Sequence, residues 1–250
     1  MIDREIPTTR APDASTNGHT AEAVLVDHTR IVLSPVAAPS VLGLFAFAGA
    51  TFVVAANMAG WYGSSSSPSY LFPFAALFGG LAQFVAGMWS YRARDALATA
   101  MHGMWGSFWL AYGLLQLLFA TGTLTEPSGA FPELAYWFLA LAIITTFGAV
   151  AALRESIALT FTLGVLAAGA YVAFAGFMDG STSVTQIAGW LFVGAAAAAT
   201  YTAGAMMLES SWGMVVLPLG KLSADANKPG RVIHRPIEYA GGDPGVRVGQ

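Results

Sequence analysis

The sequence predicts an all-α membrane protein: a bundle of six transmembrane helices with both termini in the cytoplasm. Three observations carry this. First, 56% of the 250 residues are hydrophobic and only 10% are charged, whereas soluble domains carry about 25% charged residues. So few charges cannot cover a water-exposed surface of this size. Second, six apolar runs are each long enough to cross a bilayer, which takes about 20 helical residues. Third, all eleven Lys and Arg residues fall in the N-terminal arm, the second and fourth connections and the C-terminal tail. Under the positive-inside rule, that partition over an even number of spans places both termini inside.

The runs cover residues 41–62, 70–90, 96–121, 132–153, 156–178 and 185–209. A Ser-rich turn, 63–69, leads into the second, with Pro68 where a helix tolerates proline best. Connection 91–95 carries Arg92, Arg94 and Asp95. Connection 122–131 contains the turn-formers Pro127 and Gly129. Arg154 and Glu155 make a tight charged turn, and 179–184 holds Gly180. Connections this short leave no room for an extramembrane domain, so any chemistry sits inside the bundle, 41–220, or at its mouths. The arm, 1–40, and the tail, 221–250, are rich in Pro, Gly, Ala and charge. That composition buries little apolar area and predicts flexible segments.

Small residues recur within the runs: Gly79, Gly80 and Gly87, then Gly164, Gly169 and Gly176, then Gly194 with the alanines 195–199. In lipid, helices associate by close backbone approach at small residues, which predicts tight packing and an oligomer. The net charge of −3 gives no footing for nucleic acid. With no cysteine there are no disulfides, thiolate nucleophiles or thiolate metal ligands. There is no His/Asp/Glu cluster at metal spacing, no phosphate loop and no nucleophile elbow. No cofactor is expected, and an enzyme is unsupported.

Polar residues inside the spans are costly and mark either a pathway or interhelical hydrogen bonds. The candidates are Asn57, Gln83, His102 and Ser107. Gln83 shares a stripe with Gly80 and Gly87, which favours packing. His102 shares a face with Trp105, Trp109 and Tyr112, at i, i+3, i+7 and i+10. An isolated histidine is more often a hydrogen-bonded structural residue, yet its ordinary titration range also suits a proton relay. The outer face carries Glu126, Glu133 and Asp179 and nothing basic, so it repels anions. A carboxylate would have to cross as the neutral acid or be met by helix N-termini. The hydroxyls of Ser64, Ser65, Ser66 and Ser67 before the second helix make that mouth a candidate outer vestibule.

Several strings carry a family resemblance. Leu42-Gly43-Leu44 with Phe47 opens the first helix, and Gly79-Gly80-Leu81-Ala82-Gln83-Phe84-Val85-Ala86-Gly87 forms the second. Gly106-Ser107-Phe108-Trp109 lies in the third, Ala188-Gly189-Trp190 in the sixth, and Val216-Leu217-Pro218-Leu219-Gly220 follows it. Together, over about residues 38–220, these resemble the acetate uptake transporter family, the succinate–acetate permeases. The resemblance implies a ring-like homo-hexamer with a pathway in each protomer, passing acetate or related short carboxylates. Passage is either proton-linked or channel-like. It also implies an apolar constriction, whose members fall on Phe47, Trp105 and, by a looser match, Leu163. The chain departs from the family pattern in four places. Trp105 stands where the family has tyrosine. Ala37-Ala38-Pro39-Ser40-Val41 replaces the usual Asn-Pro-Ala-Pro. Ser90, before Tyr91, replaces an acidic residue, and Leu97-Ala98 replaces Phe-Gly. Two other classes stay open: a channel for small neutral solutes or ammonia, and a non-transporting scaffold or sensor acting through its tails.

Overall fold

A computed structural model describes residues 36–64 and 66–232. Most of the expected arm and tail, and the vestibule candidate Ser65, lie outside the described residues. The described chain is helical apart from turns and one isolated bridge between Met214 and Val232. Its helices are α1 (Pro39–Met58), α2 (Ser67–Phe74), α3 (Gln83–Ala93), α4 (Ala96–Ala120), α5 (Pro132–Ala152), α6 (Ile157–Asp179) and α7 (Thr182–Trp212), with a π-helical stretch, Ala75–Ala82, joining α2 to α3.

Among the described residues, five stretches are long and apolar enough to cross a membrane: α1, the continuous rod Ser67–Ala93, α5, α6 and α7. Helix α4 has 25 residues but is not among them, because His102, Ser107 and Gln116 dilute its apolar character.

Local chemistry explains the boundaries. Helix α1 stops at Met58, four residues short of the sequence expectation, because the chain folds back on itself. The Tyr62 hydroxyl donates to the Val53 carbonyl at 2.6 Å, and Asn57 Nδ2 donates to the Tyr62 carbonyl at 2.8 Å. Pro73 lies inside α2. It removes one N–H and crowds the preceding turn, and the backbone widens to the π register within two residues. The sharp return after α3 is taken by Arg94 in the left-handed region (φ 58°). Asp95 then caps α4 by accepting from the Ala98 N–H at 2.8 Å. Ser156 and Ser181 cap α6 and α7 in the same way.

The helices pack in a ring: α5 on α6, α6 on α7, α7 on α1, α1 on the Ser67–Ala93 rod, and that rod on α4. The circuit closes between α4 and α5, which touch sparsely. Close approach is built into the rod–α4 contact. A Cβ at Gly87 would lie 2.6 Å from the Gly103 nitrogen, and one at Gly106 would lie 2.6 Å from the Phe84 nitrogen. One end of the ring carries Arg92, Arg94, Arg154 and Lys221. There the irregular segment after α7 closes over α6: the Ile157 and Ala158 N–H groups donate to the Gly220 and Leu219 carbonyls, each at 3.0 Å. The Lys221–Glu209 ion pair (2.5 Å) and the Asn227 amide bonds to residues 221 and 223 fasten the following turn. The other end carries Glu126, Glu133 and Asp179. There the Phe131 N–H donates to the Phe177 carbonyl at 2.7 Å.

Candidate functional site

The centre of the ring is apolar. Phe47 on α1, Trp105 on α4 and Leu163 on α6 are all nearly inaccessible and belong to one core cluster. Phe47 and Trp105 meet edge to face with ring centroids 6.0 Å apart. The Trp105 indole N–H donates to Thr145 Oγ1 on α5 at 3.1 Å. The three side chains expected at the constriction thus lie in the interior, and the structure adds a polar anchor for one of them.

Adjoining this layer, on the acidic side, is a cavity of about 60 Å³. Trp105 forms part of its floor, and Trp109, Phe108, Phe138 and Phe192 supply much of its wall. Thr51 and Leu166, one turn beyond Phe47 and Leu163, also line it. About 10–15 Å³ of such space holds one water, so the cavity suits a molecule of a few heavy atoms. Two of its lining residues, Thr51 and Trp109, carry polar atoms, Oγ1 and Nε1, that are buried and have no hydrogen-bond partner among the described residues. An unmade bond at a buried polar group costs about 1–3 kcal/mol. The lining contains no Lys, Arg, Asp or Glu, so it favours a neutral guest with one polar end.

The other sequence candidates are distributed differently. His102 is buried on the basic side of Trp105. Its ring lies where a Cβ on Gly43 would be, 2.5 Å from the imidazole Cε1, and its Nδ1 has no partner among the described residues. Gln83 is buried with Oε1 unpartnered and does not line the cavity. Asn57 is committed to the turn after α1. Ser107 is exposed, bonds back to the Gly103 carbonyl at 2.7 Å and faces a groove between α3 and α4. Ser64, Ser66 and Ser67 bond to one another: the Ser64 N–H donates to Ser67 Oγ at 2.8 Å, and the Ser64 and Ser66 hydroxyls are 2.9 Å apart. None of these three lines the cavity. The stripe read from the sequence held Trp105, Trp109 and Tyr112, which line the cavity, and His102, which does not; Thr51 was passed over. The available signal was its i+4 spacing from Phe47 on one helix face.

The family model for the GPR1/FUN34/yaaH family matches residues 23–224. The succinate-acetate/proton symporter SatP of Escherichia coli (strain K12) is 26% identical over 185 residues, spanning 73% of this chain and 95% of that protein. An uncharacterized protein of Methanothermobacter thermautotrophicus is 28% identical over 199 residues, spanning 76% of this chain and 95% of its own. The solved structure of the bacterial acetate channel SatP matches with a TM-score of 0.69 at 24% identity, covering 74% of this chain and all of that one. Likeness at that level of identity speaks for the fold.

Proposed function

The chain belongs to the GPR1/FUN34/yaaH family, and from that premise we propose that it passes acetate, or a closely related short carboxylic acid, across the inner membrane. It is a multi-pass membrane protein, and α4 serves as its sixth span. The basic end faces the cytoplasm, as the positive-inside rule directs. A ring of six copies rests on the family resemblance.

The observation that carries the substrate is the small, uncharged cavity whose lining residues Thr51 and Trp109 hold unpartnered polar atoms within a side-chain rotation of it. A protonated carboxyl offers a carbonyl oxygen that can accept from the indole N–H and an O–H that can donate to the threonine hydroxyl, while a methyl tail meets the aromatic wall. Burying a bare carboxylate among apolar side chains is far costlier than burying the acid. The neutral acid is therefore the species that crosses. With a carboxyl pKa near 4, about one molecule in a thousand is neutral at pH 7. Each turnover of the acid carries its proton with it, so flux follows a proton gradient without a chain of ionisable residues.

Phe47, Trp105 and Leu163 form the neck on the cytoplasmic side of the cavity. His102, just inside the neck, is placed to take the proton or the carboxyl as the acid leaves. The hydroxyls of Ser64, Ser66 and Ser67 stand at the start of α2 on the outer face. Their replacement by alanine tests a role at the mouth through the apparent affinity for acetate.

The deciding experiment is radiolabelled acetate uptake into proteoliposomes, with and without an inward proton gradient, beside protein-free vesicles. Protein-dependent accumulation that collapses with the gradient supports passage of acid and proton together; uptake that only equilibrates means that the anion crosses through a channel and overturns the neutral-acid reading. No protein-dependent flux overturns the proposal. The uncharged lining also suits a neutral-solute channel, in which case formamide or ammonia would compete with acetate.

A further inference from the structure

The loosest place in the helix ring lies directly beside the cavity. Between α4 and α5, on the acidic end, is a groove of about 620 Å³. Three residues line both the groove and the cavity: Phe108, Tyr112 and Leu134. A single layer of side chains therefore separates them. Toward the basic end the same seam is shut, by the Trp105–Thr145 hydrogen bond (3.1 Å) and by Phe108 against Phe138 at 5.4 Å. Toward the acidic end the groove is lined by Leu115, Trp137 and Glu133. Elsewhere around the ring the helices pack against one another along much of their length.

We propose that this seam is the way in: the α4–α5 groove collects the uncharged carboxylic acid, and the Tyr112 layer with Phe108 and Leu134 admits it to the cavity. This rests on the acetate reading for the identity of the guest but not for the existence of the passage. Glu133 is the ionisable carboxylate of the groove wall, which has no Lys or Arg. It disfavours the acetate anion and leaves the neutral acid acceptable. Tyr112 is half-buried and stacks with Phe108 at 5.9 Å and edge-on to Trp109 at 5.9 Å. A rotamer change at Tyr112 would open the layer without moving a helix.

The chain has no cysteine, so one introduced thiol reports access to the cavity. Ala55 lines the cavity and is 2% exposed. In reconstituted Ala55→Cys protein, the rate of reaction with N-ethylmaleimide is measured. Adding Tyr112→Ala should speed labelling at least tenfold, with Leu134→Ala as the second opening variant should Tyr112→Ala misassemble. Adding Leu115→Trp, which fills the groove without touching the cavity, should slow labelling severalfold. If the opening variants speed labelling but Leu115→Trp leaves it unchanged, the thiol is reached by another path and the proposal falls. It falls equally if the opening variants change nothing. Labelling that responds in both directions, in protein without acetate flux, keeps the passage and removes the acetate reading. Acetate flux with unresponsive labelling does the reverse.

Discussion

Replacing Thr51 by valine separates ligand binding from folding, because the two effects have opposite signs. Thr51 lines the cavity, and its Oγ1 is buried without a partner among the described residues. Valine keeps the shape and removes the hydroxyl. In the protein alone, this deletes an unsatisfied polar group, so stability should hold or rise by up to about 1 kcal/mol. With acetic acid in the cavity, the same change deletes a hydrogen bond. Side-chain hydrogen bonds inside membrane proteins are worth about 0.6–1.7 kcal/mol. This one belongs at the upper end, since its formation breaks no existing bond. At 1.4 kcal/mol per tenfold, the acetate KM should rise about 5- to 15-fold. Initial uptake rates over a range of acetate concentrations give KM, and tryptophan fluorescence on heating in detergent gives stability. An unchanged KM would refute the assignment of the cavity as the binding site. A clear loss of stability would show that the hydroxyl has a protein partner, and the binding argument would lose its footing.

Trp105→Ala removes the bulk of the neck, and should raise flux or admit longer acids; stability should fall by about 3–5 kcal/mol, and unchanged flux and selectivity would sink the neck assignment. Thr145→Val leaves the Trp105 indole N–H unpaired and should loosen the neck while costing about 1–3 kcal/mol. A double-mutant cycle with Trp105→Phe should then return a coupling of about 0.5–3 kcal/mol. Gly87→Ala drives a Cβ to 2.6 Å from the Gly103 backbone and should visibly lower the unfolding temperature, whereas Gly164→Ala, with nothing within 4 Å, should be neutral. Glu155, on the basic end, has its pKa raised by partial burial and then by the nearby Asp95. The folded state thus holds this proton more tightly than the unfolded chain, and stability falls as pH rises through the raised value. Glu155→Gln should therefore stabilise the protein at neutral pH and make no difference in acid, as unfolding temperatures against pH will show.

The helical map was legible because it depends on composition along the chain, where lipid leaves little choice. Five of the six apolar runs recur as stretches able to span, and the basic residues among those described gather at one end. Boundaries were legible where a single side chain sets them, as at Asp95 before α4. They were missed where the chain folds back, as at Tyr62, whose ring reads as one more apolar residue of the first run. Pro73 was visible but its consequence was not, since a proline inside a span can kink, break or widen the helix. The cavity was out of reach for another reason. Thr51 and Trp109 are fifty-eight positions apart on different helices, and their want of partners is a property of the packed bundle.

Trp105 shows how a local departure is absorbed by its neighbours. A tyrosine offers a hydroxyl that can donate or accept; an indole offers only an N–H, which when buried needs an acceptor. Thr145 supplies that acceptor from α5, across the sparsest contact in the ring. On the proposed reading, the residue that narrows the pathway is therefore the same residue that ties the seam at that depth. Moving the Trp105 ring aside to widen the neck lengthens or breaks the bond to Thr145, and separating α4 from α5 pulls on the ring. The proposal thus couples opening toward the basic end to loosening of the seam through one hydrogen bond. The Tyr112 layer, one to two turns nearer the acidic end, has no such tie in the described contacts and can move by itself. If the proposed pathway holds, a bundle arranged this way admits a guest from the acidic end while the neck at Trp105 stays shut, as stepwise passage of a small acid requires.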